Sequence, residues 1–323
     1  MADWVRSCPR GAEPPFYALH AGGRSYRDGV TVLEVIQRST EFLTQKGVES
    51  ARLQAEWLLA RVLGMPRLQL YLNFARGLTD AEVDQVRQLV KRRGQREPLQ
   101  HLLGTTSFCG LELKVNPCVL VPRPETEALA EHAWQFLAKR QAGASAVLDF
   151  GTGSGCLAIT LAVRCPHARL HALDVSAEAL AIARENAAAH GVAERIAFCL
   201  GDGFAALAPE QTFDLIIANP PYVPTAEIAA LMPEVRDHDP RVALDGGPDG
   251  LEFYRRLAAT ARDRLRAEDG RMMLEFGDGQ AERLRDVFGL HKWVVERVGA
   301  DYTDRPRILV VGPPHERRAA GAG

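Results

Sequence analysis

The chain has 323 residues, 46% apolar and 25% charged, with a formal net charge of −2. That balance matches a soluble globular protein long enough for two domains with their own cores, and it excludes the strongly basic field that draws a protein onto nucleic acid. Six cysteines (Cys8, Cys109, Cys118, Cys156, Cys165, Cys199) and nine histidines show no metal-ligand spacing. No metal is therefore expected, and the thiols are expected to be reduced, as in the cytoplasm. No apolar run reaches the about 18 residues of a membrane span, and the first 30 residues lack the apolar centre of a secretory signal. That stretch reads as a poorly ordered extension.

From Val32 to about Arg96 the periodicity is helical, with Val32, Val35, Ile36, Phe42 and Leu43 on one stripe and Leu53, Trp57, Leu58, Val62 and Leu63 on the next. Thr79-Asp80-Ala81-Glu82 has capping-box spacing and starts a further helix. That helix ends in Lys91-Arg92-Arg93-Gly94-Gln95-Arg96, a solvated basic end or a contact for an acidic or RNA-bearing partner. This helical domain, residues 31–104, carries no candidate for chemistry.

Thr106–Cys109 and Leu111–Val115 around Gly110 predict a β-hairpin, and Val119–Val121 a further short strand, so that 105–122 links two domains. Pro122-Arg123-Pro124-Glu125-Thr126-Glu127 then opens a helix running to about Gln141. The carboxylates suit a helix N-terminus, but Arg123 does not, and it is expected to pair with a carboxylate of a ligand or of the other domain.

Strands and helices alternate after Ala146, which predicts an α/β domain, residues 123–312, with a mainly parallel sheet covered on both faces. The strands read as Ala146–Phe150, Arg169–Leu173, Ile196–Leu200, Phe213–Ala218, Arg271–Phe276, Trp293–Arg297 and Arg307–Val311, the last pair forming an antiparallel edge. Helices fall near Cys156–Cys165, Ala177–His190, Leu251–Arg266 and Gln280–Phe288, and residues 313–323 read as a disordered tail.

Gly151-Thr152-Gly153-Ser154-Gly155 joins the first strand to its helix, where glycine lets a ligand approach the backbone. The spacing fits neither a dinucleotide fingerprint nor a P-loop, which favours a nucleoside without phosphates. Asp174 ends the second strand, placed to accept from ribose hydroxyls, and Asp202 follows the third, with Gly203 and Phe204 beside a base. Each aspartate alone is more commonly a helix cap or turn former; three successive strand ends supplying glycines, Asp174 and Asp202, and a fourth supplying Asn219, point together to a nucleoside-type cofactor.

Asn219-Pro220-Pro221-Tyr222 leaves the fourth strand. Two prolines remove two N–H donors and stiffen the loop, Asn219 adds an acceptor, and Tyr222 offers a flat face. Such a corner suits a planar NH2 group, although a rigid turn is the plainer reading.

Together these features resemble the class I S-adenosylmethionine-dependent methyltransferases, with their Rossmann-like seven-stranded sheet. The chain resembles more narrowly the HemK/PrmC family, on Glu97–Gly104, Pro122–Glu127, Gly151–Gly155, Asn219–Tyr222, Ala243–Leu251 and Leu274–Gly277 with Gln280. The resemblance implies S-adenosylmethionine as cofactor and transfer of its methyl to a glutamine side-chain amide in peptide chain release factors. It makes Asn219, Pro220 and Tyr222 catalytic. It gives Gly151, Thr152, Gly153, Ser154, Gly155, Asp174, Asp202, Gly203 and Asn219 to the cofactor. Asn219, Pro220, Pro221, Tyr222, Phe108 and Arg123 then hold the substrate, with Phe108 walling the glutamine pocket. His238-Asp239-Pro240 and Gly203 depart from the family's pattern, which leaves Phe204 or a backbone contact to serve the adenine. A cytoplasmic monomer without membrane or nucleic-acid partners is expected. The alternatives are a glutamine of a ribosomal protein, an exocyclic amine of adenine or guanine, and a cofactor-binding protein without catalysis.

Overall fold

The structure is a computed structural model that describes residues 29–140, 145–266 and 269–313. The extension expected over 1–30 and the tail expected over 313–323 lie outside these residues, apart from Gly29, Val30 and Pro313. The chain divides into two compact units, one ending at Val90 and one beginning at Lys91. The sequence placed the division later, at 104/105.

The first unit holds α1 (Val32–Gln45), α2 (Ala51–Leu63), α3 (Gln69–Leu72) and most of α4 (Asp80–Gly94). Thr31 and Glu34 form a capping box on α1. At α4 the expected box is present, Glu82 N donating to Thr79 Oγ1 and Thr79 N to Glu82 Oε2. Val32, Ile36, Leu43, Leu58, Leu59 and Leu70 are fully buried between the helices. Burying each contributes about 1.5–3 kcal/mol.

The second unit opens with α5 (Leu99–Leu103), the antiparallel hairpin of β1 (Thr105–Phe108) and β2 (Leu111–Lys114), and α6 (Pro124–Ala138). The alternation then follows: β3 (Ala146–Phe150), α7 (Cys156–Arg164), β4 (Arg169–Asp174), α8 (Ala177–Ala189), β5 (Ile196–Leu200), β6 (Leu215–Ala218) and the short α9 (Pro233–Arg236). It closes with α10 (Glu252–Thr260), β7 (Arg271–Glu275), α11 (Ala281–Leu290), β8 (Val294–Ala300) and β9 (Pro306–Gly312). The seven-stranded sheet has the order β5-β4-β3-β6-β7-β9-β8, and β9 alone runs against the others.

Alternation along the strands splits the core in two. Val147, Leu215 and Ile217 belong with α6 and α7 residues such as Leu129 and Ile159. Leu148, Ile216 and Leu274 belong instead with Tyr254, Leu284 and Phe288 of α10 and α11. A strand whose residues are buried on both faces reads as an unbroken apolar run, as Leu215–Ala218 does.

Three expectations need correction. Val119–Val121 is no strand; Asn116 closes a turn there through its Oδ1 to Cys118 N. The fourth large strand starts at Leu215, because Asp214 is turned aside to accept from Arg140, Arg266 and the amide of Ala146. The helix expected to Arg266 ends at Thr260, because Phe213 hydrogen-bonds to the Arg264 carbonyl and Arg266 N to the Phe213 carbonyl, drawing the chain out of helix.

Candidate functional site

The sheet order reverses direction between β3 and β6, and in open α/β sheets ligands bind outside the carboxyl ends of strands at such a point. A cavity of about 360 Å³ lies there. Gly151 and Gly153 line it after β3, Asp174 after β4, Asp202 after β5, and Asn219, Pro220 and Pro221 after β6. The structure thus brings together these expected cofactor residues from four strand ends.

Each is held by local chemistry. Gly151 and Gly153 have φ of 78° and 55°, and a Cβ at either would meet nothing within 4 Å, so the loop presents open backbone to a ligand. Asp174 accepts from Gly153 N at 2.8 Å and Ser176 N at 2.9 Å, tying the glycine loop to β4. Asp202 pairs with Arg256 at 2.5 Å on the exposed rim.

Other expected residues play supporting parts. Thr152 is buried and donates to Asp149 Oδ2 at 2.6 Å, which also accepts from Ala158 N. Burial pushes the Asp149 carboxyl up to about 7, and its Oδ1 has no partner. Ser154 is buried and its carbonyl accepts from Asn186. Gly155, at φ 82°, is required by packing: a Cβ would stand 2.8 Å from Ile159 Cδ1 and 3.1 Å from Ala183 Cβ. Gly203 is buried off the cavity wall, beside Arg256. Phe204 is also off that wall and packs edge-on to Phe150; the aromatic rings that line the cavity are Phe150 and Phe253.

A second cavity, of about 240 Å³, is lined by Arg123, Glu125, Asn219, Tyr222, Glu275 and Arg307, with Leu231 and Val235 among its apolar residues. Asn219 lines both cavities. Its Nδ2 donates to Thr126 Oγ1 at 3.0 Å, which leaves Oδ1 as the atom that can accept from a ligand. Burial pushes the Tyr222 hydroxyl up to about 12, so it stays protonated. The Tyr222 carbonyl accepts from Gln280 Nε2, whose Oε1 accepts from Gly277 N, and Gly246 leaves no room for a Cβ against the Pro221 carbonyl and Tyr222 Cα. The Asn-Pro-Pro-Tyr corner is thereby braced from two sides.

Arg123 lines this second cavity and pairs with the buried Asp239, a carboxylate of the same unit, at 2.5 Å. The basic end of α4 is likewise paired: Arg92 with Glu97, and Arg93 and Arg96 both with Glu234 at 2.8 Å. Phe108 must be moved out of the site. It is 1% exposed, within the core that includes Leu113, Leu129 and Leu157, because the hairpin register turns it inward; it lines neither cavity.

Sequence reasoning did not single out Thr126, Phe253, Glu275 or Arg307 as site residues. Glu275 carried a signal. It ends β7 next to β6 in a register pairing Ala218 with Leu274, which sets Glu275 beside Asn219. Among the described residues no helix is long and apolar enough to cross a membrane, and no cluster of three His, Cys, Asp or Glu could hold a metal.

Residues 34–104 match the PrmC N-terminal domain family and residues 127–234 the methyltransferase small domain family. The release factor glutamine methyltransferase of Geobacter sulfurreducens is 47% identical over 80% of this chain and 88% of its own length. Proteins of the same name from Chlorobaculum tepidum and Bradyrhizobium diazoefficiens are 45% and 41% identical, over 80% and 81% of this chain and 90% and 88% of theirs. This chain belongs to the release factor glutamine methyltransferase family.

Proposed function

We propose that the protein transfers a methyl group from S-adenosylmethionine to the side-chain amide nitrogen (N5) of a glutamine in peptide chain release factors. The observation that carries this reading is Asn219, a tethered carboxamide on the wall shared by the two cavities.

The larger cavity fits the cofactor. Its open glycine backbone leaves the space a Cβ would fill, Asp174 and Asp202 are acceptors for hydroxyl and amino groups, and Phe150 and Phe253 offer apolar faces. When bound, S-adenosylmethionine supplies a methyl activated by a sulfonium. The protein's part is position and electrostatics.

An amide nitrogen is a weak nucleophile, because its lone pair is delocalised into the carbonyl. Asn219 Oδ1 and the Pro220 carbonyl take its two hydrogens and aim the nitrogen toward the larger cavity. Holding both reactants in line supplies roughly 7–11 kcal/mol of the barrier. The same hydrogen bonds strengthen as positive charge develops on nitrogen, and one of the two N–H protons then leaves to solvent after the transfer, so no dedicated base is needed. Tyr222 packs on the amide plane and stays neutral. Arg123, fixed by Asp239, shapes the mouth of the glutamine slot. The helical unit docks the release factor, and its exposed Trp57, Leu68 and Leu72 offer apolar surface for this. The enzyme works as a cytoplasmic monomer.

Incubation with labelled S-adenosylmethionine and a purified release factor tests the assignment, with intact-mass analysis and mapping of the product. One added methyl on a glutamine side chain is expected. Label entering only ribosomal protein or nucleic acid would overturn it.

A further inference from the structure

Beside Asn219 stands a buried carboxylate that the transfer just described does not use. Glu275 is 1% exposed, lines the smaller cavity, and belongs to the strand next to the one that carries Asn219. Thr126 and Asn219 are the neighbours that favour its charged form, against the burial that pushes it up, and Asn219 Nδ2 donates to Thr126 Oγ1 at 3.0 Å. Its second oxygen, Oε2, is buried with no partner.

We propose that Glu275 is a positioning residue for methyl transfer: with Thr126 it takes up the N–H side of the Asn219 carboxamide, so that Oδ1 alone is presented to the substrate amide. This rests on the reading of Asn219 given above.

A carboxamide on a loop can turn end for end, and the wrong end would offer an NH2 group to another NH2 group. Thr126 Oγ1 behind Nδ2 and the Glu275 carboxylate on the neighbouring strand oppose that turn, because reversal would bring Oδ1 toward a carboxylate and take Nδ2 from its acceptor. A charged acceptor behind the amide also draws its N–H bonds and raises electron density on Oδ1, strengthening the bond that matters at the transition state. The cost is a carboxylate held out of water. Glu125, Arg307, Tyr222 and Tyr254 are the other titratable groups that act on Glu275 or feel its charge.

The test combines turnover with a spectroscopic readout that needs no substrate. In wild-type protein the Asn219 side-chain amide, assigned in NMR by its loss in Asn219→Ala, should shift with pH as Glu275 titrates. Glu275→Gln should abolish that titration. The same substitution should lower kcat on a release factor about 10- to 100-fold, the scale of a hydrogen bond to a charged group, with KM and the Kd for S-adenosylhomocysteine within about twofold. Placed on Asn219→Ala, it should lower kcat no further, since residues acting as a unit are not additive. Thr126→Val, which keeps the packing, should reproduce part of the loss if Glu275→Gln folds poorly. An unshifted amide in wild type, unchanged turnover in both single variants, or full additivity with Asn219→Ala would overturn the proposal. Failure of the wild type to methylate any release factor would instead strike at the substrate assignment, and the NMR arm would still decide the role of Glu275.

Discussion

Asn219 Nδ2 lies 3.0 Å from Thr126 Oγ1, and this contact joins the end of β6 to the first turn of α6. The Arg-Pro-Glu-Thr-Glu segment and the Asn-Pro-Pro-Tyr loop, 93 positions apart, therefore form one device. Pro124 starts α6 at the place that sets Thr126 behind Asn219, while Glu127 faces the other way and accepts from Cys109 N at 2.7 Å.

Asp174 tests the cofactor side of the site. Asp174→Ala removes the acceptor offered to ribose and also releases Gly153 N and Ser176 N. Its Kd for S-adenosylmethionine should rise about 10- to 100-fold, the worth of one to two charge-assisted hydrogen bonds. Turnover at saturating cofactor should be much less affected. Calorimetry with the intact enzyme checks this, and unchanged affinity would remove Asp174 from the site.

Gly155 serves packing, so its substitution should be read in stability. An alanine there would carry a strained φ of 82° and drive its Cβ to 2.8 Å from Ile159 Cδ1. Gly155→Ala should cost about 1–3 kcal/mol, visible as a lowered Tm, whereas Gly151 has open space at the same position. A variant as stable as wild type would contradict the role.

Phe108 separates the present account from the expectation drawn from its place in the hairpin. Phe108→Ala should cost about 3–5 kcal/mol of stability, as a buried aromatic does. The fraction that stays folded should keep the wild-type KM for a release factor. A raised KM with undiminished stability would return Phe108 to the substrate pocket.

Stability should also carry the mark of two buried acids. Burial pushes both Asp149 and Glu275 up to about 7. Between about pH 4 and 7 the folded state therefore binds more protons than the unfolded state. Their contribution is present below their unfolded values and lost as pH rises through about 7. Glu275→Gln should then flatten the fall in Tm across that window and raise Tm at pH 8 relative to wild type. A steeper fall in the variant would show that the carboxylate is better accommodated than its burial implies.

Much of this architecture was legible in the residues. Leu215–Ala218 is buried on both faces and so appears as an apolar run, and Asp149-Phe150-Gly151 marks a strand leaving its sheet for a helix. Strand ends in such sheets converge on one crevice, and Asp174 and Asn219, both at strand ends, line the same cavity. What stayed hidden depended on contacts between distant segments. Asp239 captures Arg123 across 116 positions, and Glu234 captures Arg93 across 141. No local pattern announces either pair. Phe108 and Phe204 misled for a related reason. An aromatic beside a turn can point into the core or out of it, and only the packing of the finished fold decides which.

The central claim is that a donor-free corner grips a carboxamide through Asn219, and single-turnover methylation of a release factor by Asn219→Ala tests it most directly. The methyl-transfer rate should fall by about two to three orders of magnitude, as when one oxyanion-hole donor is removed, while S-adenosylmethionine still binds with nearly the wild-type Kd. An unchanged transfer rate in a variant that binds the cofactor normally would contradict it.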